Sequence, residues 1–355
     1  MKTVAFLILL ICVCASGGAV WAVNAVRISD LANTPLPPNP IRVWGTVTST
    51  SPVRIGDGVN EIAVVGLTAA ADDFVVVTGS WDGEALIVSE SPELYAGPAR
   101  VQMIRIAAGS FDMGNNGGEG ISIPDELPQH SVYLPDYWIG KYEVTRGEYR
   151  RFIEAGGYSN PSWWSTAGWA WKADRIAPRY WAASQNWGGA AFVQTEKHPV
   201  VGVSYYEAEA FCIWAGGHLP TEAQWEKAAR WTGSQPNTYP WGNTWDPEKC
   251  NNYSDHNPAG GGYQRRQTAP VGSYPSGSSP YGCQDMTGNV WEWCQDWYKS
   301  YPGSQNPFDY ANSLRVLRGG GWGDTDLVFY GRCAYRNDAR SPNTDSYYYG
   351  FRMAR

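Results

Sequence analysis

The residue types that most often do chemistry are few in this chain and irregularly placed. His130, His198, His218 and His256 are the only histidines, and no HExxH or other paired-ligand spacing joins them, so a zinc centre is not expected. No GxSxG elbow occurs, and nothing sets Ser, His and Asp together as a hydrolase needs. Cys12 and Cys14 fall in an apolar N-terminal run; Cys212, Cys250, Cys283, Cys294 and Cys333 lie beyond it without a CxxC pair. An odd number permits disulfides in an exported chain but leaves one thiol free or paired elsewhere. The sequence has 34 acidic residues, yet its spacing selects no pair for acid–base work. Spacing does single out Gln284–Tyr298, QDMTGNVWEWCQDWY, where Gly288 and Asn289 separate an acid from Trp-Glu-Trp. It also singles out Val316–Trp322, VLRGGGW. Both predict tight backbone turning beside an aromatic layer with polar groups in it.

The elements that must position these stretches are short. Thr145 precedes Glu148 by three residues, as Ser204 precedes Glu207 and Thr221 precedes Gln224. Each pair is a capping box, in which the hydroxyl and the later side chain satisfy exposed N–H groups at a helix start. Gly156-Gly157, Gly216-Gly217 and Gly233 mark the ends. Three short helices in a long, loop-rich segment predict an α+β domain of low regular content. Ala208, Phe211, Cys212 and Ala215 share one helix face, which places Cys212 in the core. Between the first two helices Trp163, Trp164, Trp169, Trp171, Trp181 and Trp187 read as an aromatic layer replacing scarce helices, with sugar stacking as the alternative.

Ahead of that domain, residues 1–22 carry Lys2, an apolar run and a small-residue exit, which predicts a secretory signal peptide. Pro35, Pro37, Pro38 and Pro40 make 23–40 an extended linker. Residues 41–96 alternate short β runs, with a hairpin signal at Trp81-Asp82-Gly83, and predict a small all-β barrel of the OB type. That segment is rich in carboxylates, the wrong sign for a phosphate groove, so nucleic acid is not an expected partner. The whole chain has a net charge of −7, 14% aromatic and 17% charged residues, which excludes a disordered or polyanion-binding protein. Localisation is expected to be secreted, periplasmic or cell-surface, with no membrane span after cleavage.

From about Ile106 to Arg352 the motifs GSFDMG, DYWIGKYEVTRGEYRRFI, HPVVGVSYYEAEAFCIWAGGHLPTEAQWEKAAR, YPWGN, the two stretches above and the final GFR resemble the formylglycine-generating-enzyme, or sulfatase-modifying-factor, family. The resemblance implies a C-type-lectin-like α+β fold for residues 97–355. It also implies one of several activities: copper-dependent oxidation of a sulfatase cysteine, an iron enzyme of ergothioneine synthesis, or ligand binding without catalysis. The iron-binding histidines of the second type belong to a helical domain not found in this sequence. The copper type needs two thiolates, the soft ligands that suit Cu(I). Asp324 and Val328 or Phe329 stand at about those places, so copper is not expected. By the same resemblance Cys212 would pair near Met353 and Cys333 near Ala229, where no thiol stands. Calcium is implied at Asp285, Gly288, Val290 and Glu292, two carboxylates with backbone carbonyls. The alternative is that the two acids bond loop N–H groups without metal.

The resulting expectation is an exported, non-catalytic ligand-binding protein. Its ligand, a protein, peptide or glycan, is expected to meet Asp324, Asp326, Phe329, Tyr330, Arg336, Asn337, Tyr347, Tyr348 and Tyr349, since tyrosines with short polar residues give adaptable contact area. This display resembles the variable proteins of diversity-generating retroelements. The competing expectation is a formylglycine-generating oxidase or a related oxidoreductase.

Overall fold

A computed structural model describes residues 24–25, 41–50, 53–56, 61–65, 74–81, 85–88, 93–96, 98–117, 123–181, 185–187, 190–192, 194–253, 267–305 and 307–355. The expected leader, and the expected linker apart from 24–25, lie outside the described residues. Two compact units divide the chain, Met1–Arg100 and Val101–Arg355.

The first unit is built of β1 (Asn24–Ala25), β2 (Ile41–Thr50), β3 (Val53–Gly56), β4 (Glu61–Val65), β5 (Phe74–Trp81), β6 (Ala85–Val88) and β7 (Glu93–Ala96). β1 runs parallel to β2, which pairs antiparallel with both β3 and β5. β3 continues antiparallel to β4, and β4 lies parallel to β6. β5 pairs antiparallel with β6 and β7. Ile55, Val64, Val75 and Val77 are buried, and the spacing of the last two by two residues puts them on one face of β5.

The second unit opens with β8 (Val101–Ile106), β9 (Gly109–Met113), β10 (His130–Leu134) and β11 (Tyr137–Gly140), paired β8 with β11 and β9 with β10. Helices α1 (Arg146–Glu154), α2 (Thr166–Lys172), α3 (Tyr205–Trp214) and α4 (Glu222–Arg230) follow, with a small hairpin of β12 (Gln185–Trp187) and β13 (Ala190–Phe192) between the second and third. All three predicted capping boxes form, at Thr145, Ser204 and Thr221. Helix α2 was not predicted. Its cap, Ser165, has Gly168 rather than an acid three residues on, so only half of the box signal is present in the sequence.

The last sheet is the one that matters for the site. β14 (Trp291–Trp297) is flanked by β15 (Arg315–Arg318), antiparallel, and β17 (Tyr349–Gly350), parallel. β16 (Asn337–Arg340) adds to the far side of β15, and a single-turn helix α5 (Leu327–Tyr330) precedes it. The segment after β17 is threaded back into the domain: Val144 N–H donates to Phe351 O at 2.8 Å, Gly140 N–H to Met353 O at 2.7 Å and His218 N–H to Ala354 O at 2.9 Å.

Aromatic rings fill much of the interior, as helix-poor packing requires. Tyr149 stacks on Phe211 at 5.4 Å, and Phe152 touches Tyr158, Trp163, Trp164 and Trp214. The tryptophan-rich segment belongs to this layer. Trp164 is buried and donates to Gly157 O, while Trp171 and Trp181 hold the guanidinium groups of Arg175 and Arg146. The side chain of Trp187 lies outside the described residues. Cys212, Cys250, Cys283, Cys294 and Cys333 are all buried, and none is in a disulfide. Among the described residues no helix is long and apolar enough to cross a membrane.

Candidate functional site

The turn before β14 is held in a shape that few residues tolerate. Asp285, Gly288 and Asn289 all have positive φ, at 59°, 81° and 61°. A Cβ on Gly288 would sit 2.3 Å from Asn251 O, so glycine is required there. Asn289 serves as a hub. Its Oδ1 accepts from Ala269 N–H at 2.8 Å and from Asn251 Nδ2 at 3.1 Å, and its Nδ2 donates to Glu143 Oε2 at 2.6 Å. Gly288 N–H donates to Gly319 O and Trp322 N–H to Asn289 O, each at 2.9 Å. The two stretches singled out in the sequence are thus bonded to each other through the backbone.

One residue into β14, Glu292 is fully buried and fully engaged. Arg352 Nε and Nη2 each reach one of its oxygens at 2.6 Å, and the Trp225 indole donates at 2.8 Å. Arg352 also donates to the carbonyls of Gly140 and Gln284. The arginine of the GFR motif is therefore the counter-ion of the Trp-Glu-Trp motif. Nearby, burial pushes the Glu143 carboxyl well up, and the charges of Asp285 and Glu292 add to it, while Arg352 pulls the other way. Asp285 is pushed up to about 6 by burial against the pull of a 2.7 Å bond from Gly272 N–H. Of the four positions expected to hold calcium, Asp285, Gly288 and Val290 line the turn. Glu292 is the anion of an ion pair. Among the described residues no three His, Cys, Asp or Glu side chains group as a metal site.

The glycine-rich turn after β15 carries the residues expected to meet a ligand. Asp324 Oδ2 accepts from Gly321 N–H at 2.8 Å, and its carboxyl also bonds the Trp291 side chain; burial pushes it up to about 6. Tyr348 covers Gly323 so closely that a Cβ there would lie 2.3 Å from the ring. Tyr348 packs on Trp322 at 4.9 Å and on Tyr347 at 4.1 Å, and Tyr347 meets Tyr180 at 5.8 Å. Phe329 and Tyr330 each lie 5.2 Å from Tyr335, which in turn contacts Trp291. The sequence reading missed Trp291, Trp322, Tyr335 and Tyr180. For Trp322 its place after three glycines was an available signal.

Two expected ligand residues, Arg336 and Tyr349, belong to the core. Arg336 is buried, bonded through two nitrogens to Glu222 at 2.7 and 2.9 Å and packed on Tyr298 and Tyr301, so it is a core counter-ion. Tyr349 is a buried β17 residue whose hydroxyl accepts from Arg340. Asp326 is exposed and caps α5 through Phe329 N–H. Asn337 pairs with Leu317 in β16, and its side chain lies outside the described residues.

The donor set does not fit a two-thiolate copper centre. Asp324 brings oxygen, Phe329 a half-buried ring and Val328 an exposed aliphatic group. Cys333, the one thiol of the interval, is sealed in the same core cluster as Ala229 and Cys294.

Residues 92–355 match the sulfatase-modifying factor enzyme 1-like domain. A formylglycine-generating enzyme of Thermomonospora curvata is 32% identical, over 71% of this chain and 92% of its own length. A hercynine oxygenase of Mycobacterium tuberculosis is 38% identical over 62% of this chain, and the chain spans about half the length of the hercynine oxygenases it matches. Among solved structures, PvdO from Pseudomonas aeruginosa superimposes with a TM-score of 0.54 at 27% identity, covering 72% of this chain and 95% of that one. With its motifs, its buried Glu292–Arg352 pair and a family match across most of its length, the chain belongs to the sulfatase-modifying factor enzyme 1-like family.

Proposed function

We propose that this protein is an oxidase-like member of its family, acting on a ligand held at the face made by half-buried Asp324, Tyr347 and Tyr348. The observation that carries this reading is kinship: relatives named for oxygenase and formylglycine-generating activity align with the domain that builds the face. Those names favour oxidation over the non-catalytic role expected from the sequence. The donor set bears on the means. Residues 322–337 hold a single cysteine, Cys333, so they offer no thiolate pair for the copper chemistry of a formylglycine-generating enzyme, and an oxidising metal would need other ligands. The test is oxygen uptake by the purified, metal-supplemented protein, offered a cysteine-containing sulfatase peptide or hercynine. Substrate-dependent uptake that Asp324→Asn abolishes supports the reading. Tight ligand binding with no uptake, whatever the metal, overturns it in favour of an exported binding protein. That second reading is supported by Asp324, whose partners are neutral, beside half-exposed tyrosines.

Two further proposals complete the picture. Calcium at the Asp285–Glu292 turn is supported by the buried acids Asp285 and Glu143. It requires Glu292 to leave Arg352, and a melting temperature unmoved by millimolar calcium sinks it. An OB-like arrangement of the first unit is supported by the order in which β2 to β6 pair. Export is checked by sequencing the N-terminus of the secreted protein.

A further inference from the structure

A cleft of about 490 Å³ opens in the second unit, lined by residues of three segments, 115–116, 124–129 and 303–305. It shares no lining residue with the face of Asp324, Tyr347 and Tyr348. Its size falls in the range of small-molecule sites, roughly 300–1,000 Å³. Two of its walls approach each other closely. Gly303 has a φ of 79°, and a Cβ on it would lie 3.7 Å from the Pro128 ring.

The lining is neutral throughout. It consists of the carboxamides of Asn115, Asn116, Gln129 and Gln305, the Ser304 hydroxyl, Gly303 and the apolar side chains of Pro124, Leu127 and Pro128. The two acids within the 124–129 segment are committed elsewhere. Asp125 accepts from the Tyr298 hydroxyl, and Glu126 holds Arg332 through both oxygens, at 2.6 and 2.8 Å. Asn115 is committed too, accepting from Gly117 N–H at 2.8 Å and donating to Glu126 at 3.0 Å. Gln129 and Gln305 differ. Each donates to one backbone carbonyl, Gly114 O and Gly303 O, at 3.3 Å, and neither Oε1 accepts a bond among the described residues. A carboxamide anchored in this way keeps its carbonyl oxygen and one N–H for a ligand.

This chemistry narrows the occupant. An anion would find no cation in the lining and an organic cation no acid, while a metal ion would lack the carboxylates it favours. An extended peptide would want either a row of backbone N–H and C=O groups or aromatic rings for its prolines. Two wall positions are prolines, which have no N–H, and no aromatic side chain lines the cleft. A neutral sugar suits it better. Adjacent ring hydroxyls can each donate and accept, matching the paired donor and acceptor of a glutamine side chain, and the CH groups of the sugar can pack on Pro124, Leu127 and Pro128.

We infer that the cleft between the 124–129 and 303–305 segments binds a neutral oligosaccharide, with Gln129 and Gln305 taking its hydroxyls. The site is independent of the proposed oxidase reaction, so either reading can fall without the other.

Titration of the full chain, followed by calorimetry, tests this with neutral disaccharides (lactose, maltose and N,N′-diacetylchitobiose) beside charged counterparts, cellobiouronic acid and chitobiose with free amines. At least one neutral disaccharide should bind, and more tightly than either charged one. Gln129→Leu and Gln305→Leu, both on the rim of the fold, should each weaken it by about 3- to 10-fold, the loss of roughly one hydrogen bond. Both variants should keep the parent melting temperature. Should one of them unfold, Gln305→Ala and Asn116→Ala at exposed positions give the same readout. No neutral disaccharide bound at millimolar concentration overturns the inference. So does equal binding of the charged sugars, or full binding by the double leucine variant, which would place the sugar elsewhere. Binding of a neutral proline-containing peptide in place of every sugar also overturns it, in favour of a peptide groove.

Discussion

Glu292 pairs in register with Arg318, just before the glycine-rich turn, and Asp324 follows that turn; each accepts a bond from a tryptophan, yet the structure treats them differently. Glu292 is sealed, with both oxygens on Arg352 and a third bond from Trp225. Asp324 is partly open, held by an amide and an indole, with no cation paired to it among the described residues. The first arrangement uses up a carboxylate's capacity for partners; the second leaves some over. The contrast separates a carboxylate committed to the fold from one that keeps room for a further partner.

Arg352→Met should break the comparison most violently. It strands a buried carboxylate and removes a donor from three carbonyls, at a cost of about 3–5 kcal/mol, read as a large fall in denaturation midpoint or as failure to fold. Pairing it with Glu292→Leu should recover part of that loss, because two apolar groups are cheaper than one orphaned charge. Trp225→Phe removes one donor from Glu292 and should cost about 1–3 kcal/mol by the same measurement. Ser204→Ala, which touches the bonds of neither acid, should cost about 1 kcal/mol through the lost α3 cap. Asp324→Asn should shift stability least, within about 0.5 kcal/mol, because the amide oxygen can still accept from Gly321 N–H.

A pH series sharpens the contrast from another side. Burial raises Asp285 and Asp324 to about 6, and Glu148 and Glu207 to about 7. A raised carboxyl holds a proton in the folded state that the unfolded chain has already released. Folding therefore takes up protons between roughly pH 4.5 and 7, and stability should rise as pH falls through that window. Melting temperatures should be higher near pH 5.5 than near pH 7.5, and Glu207→Gln should flatten the slope; a profile falling toward acid counts against these protonation states.

What the sequence made legible was local. Each capping box needs only residues three apart, so α1, α3 and α4 were placed correctly at their starts. Helix α2 escaped because Ser165 lacks the acid that completes the signal. Arg336 was assigned to the ligand face although its partner is Glu222, 114 positions earlier in the chain, a pairing no local pattern discloses. Tyr349 was misplaced for a related reason: a run of three tyrosines does not say which ring a parallel strand partner will bury. Asp324 was singled out without its neighbours Trp291 and Trp322, whose sequence context reads equally well as the core in which they lie.

The thiols described above give the protein an internal clock. Cys212, Cys250, Cys283, Cys294 and Cys333 lie beneath the surface outside any disulfide, and burial raises the pKa of Cys212, Cys250, Cys283 and Cys294. A water-soluble alkylating reagent can reach them only when the structure around them opens. The pace at which mass is added to each cysteine would therefore chart, sulfur by sulfur, which parts of the domain breathe.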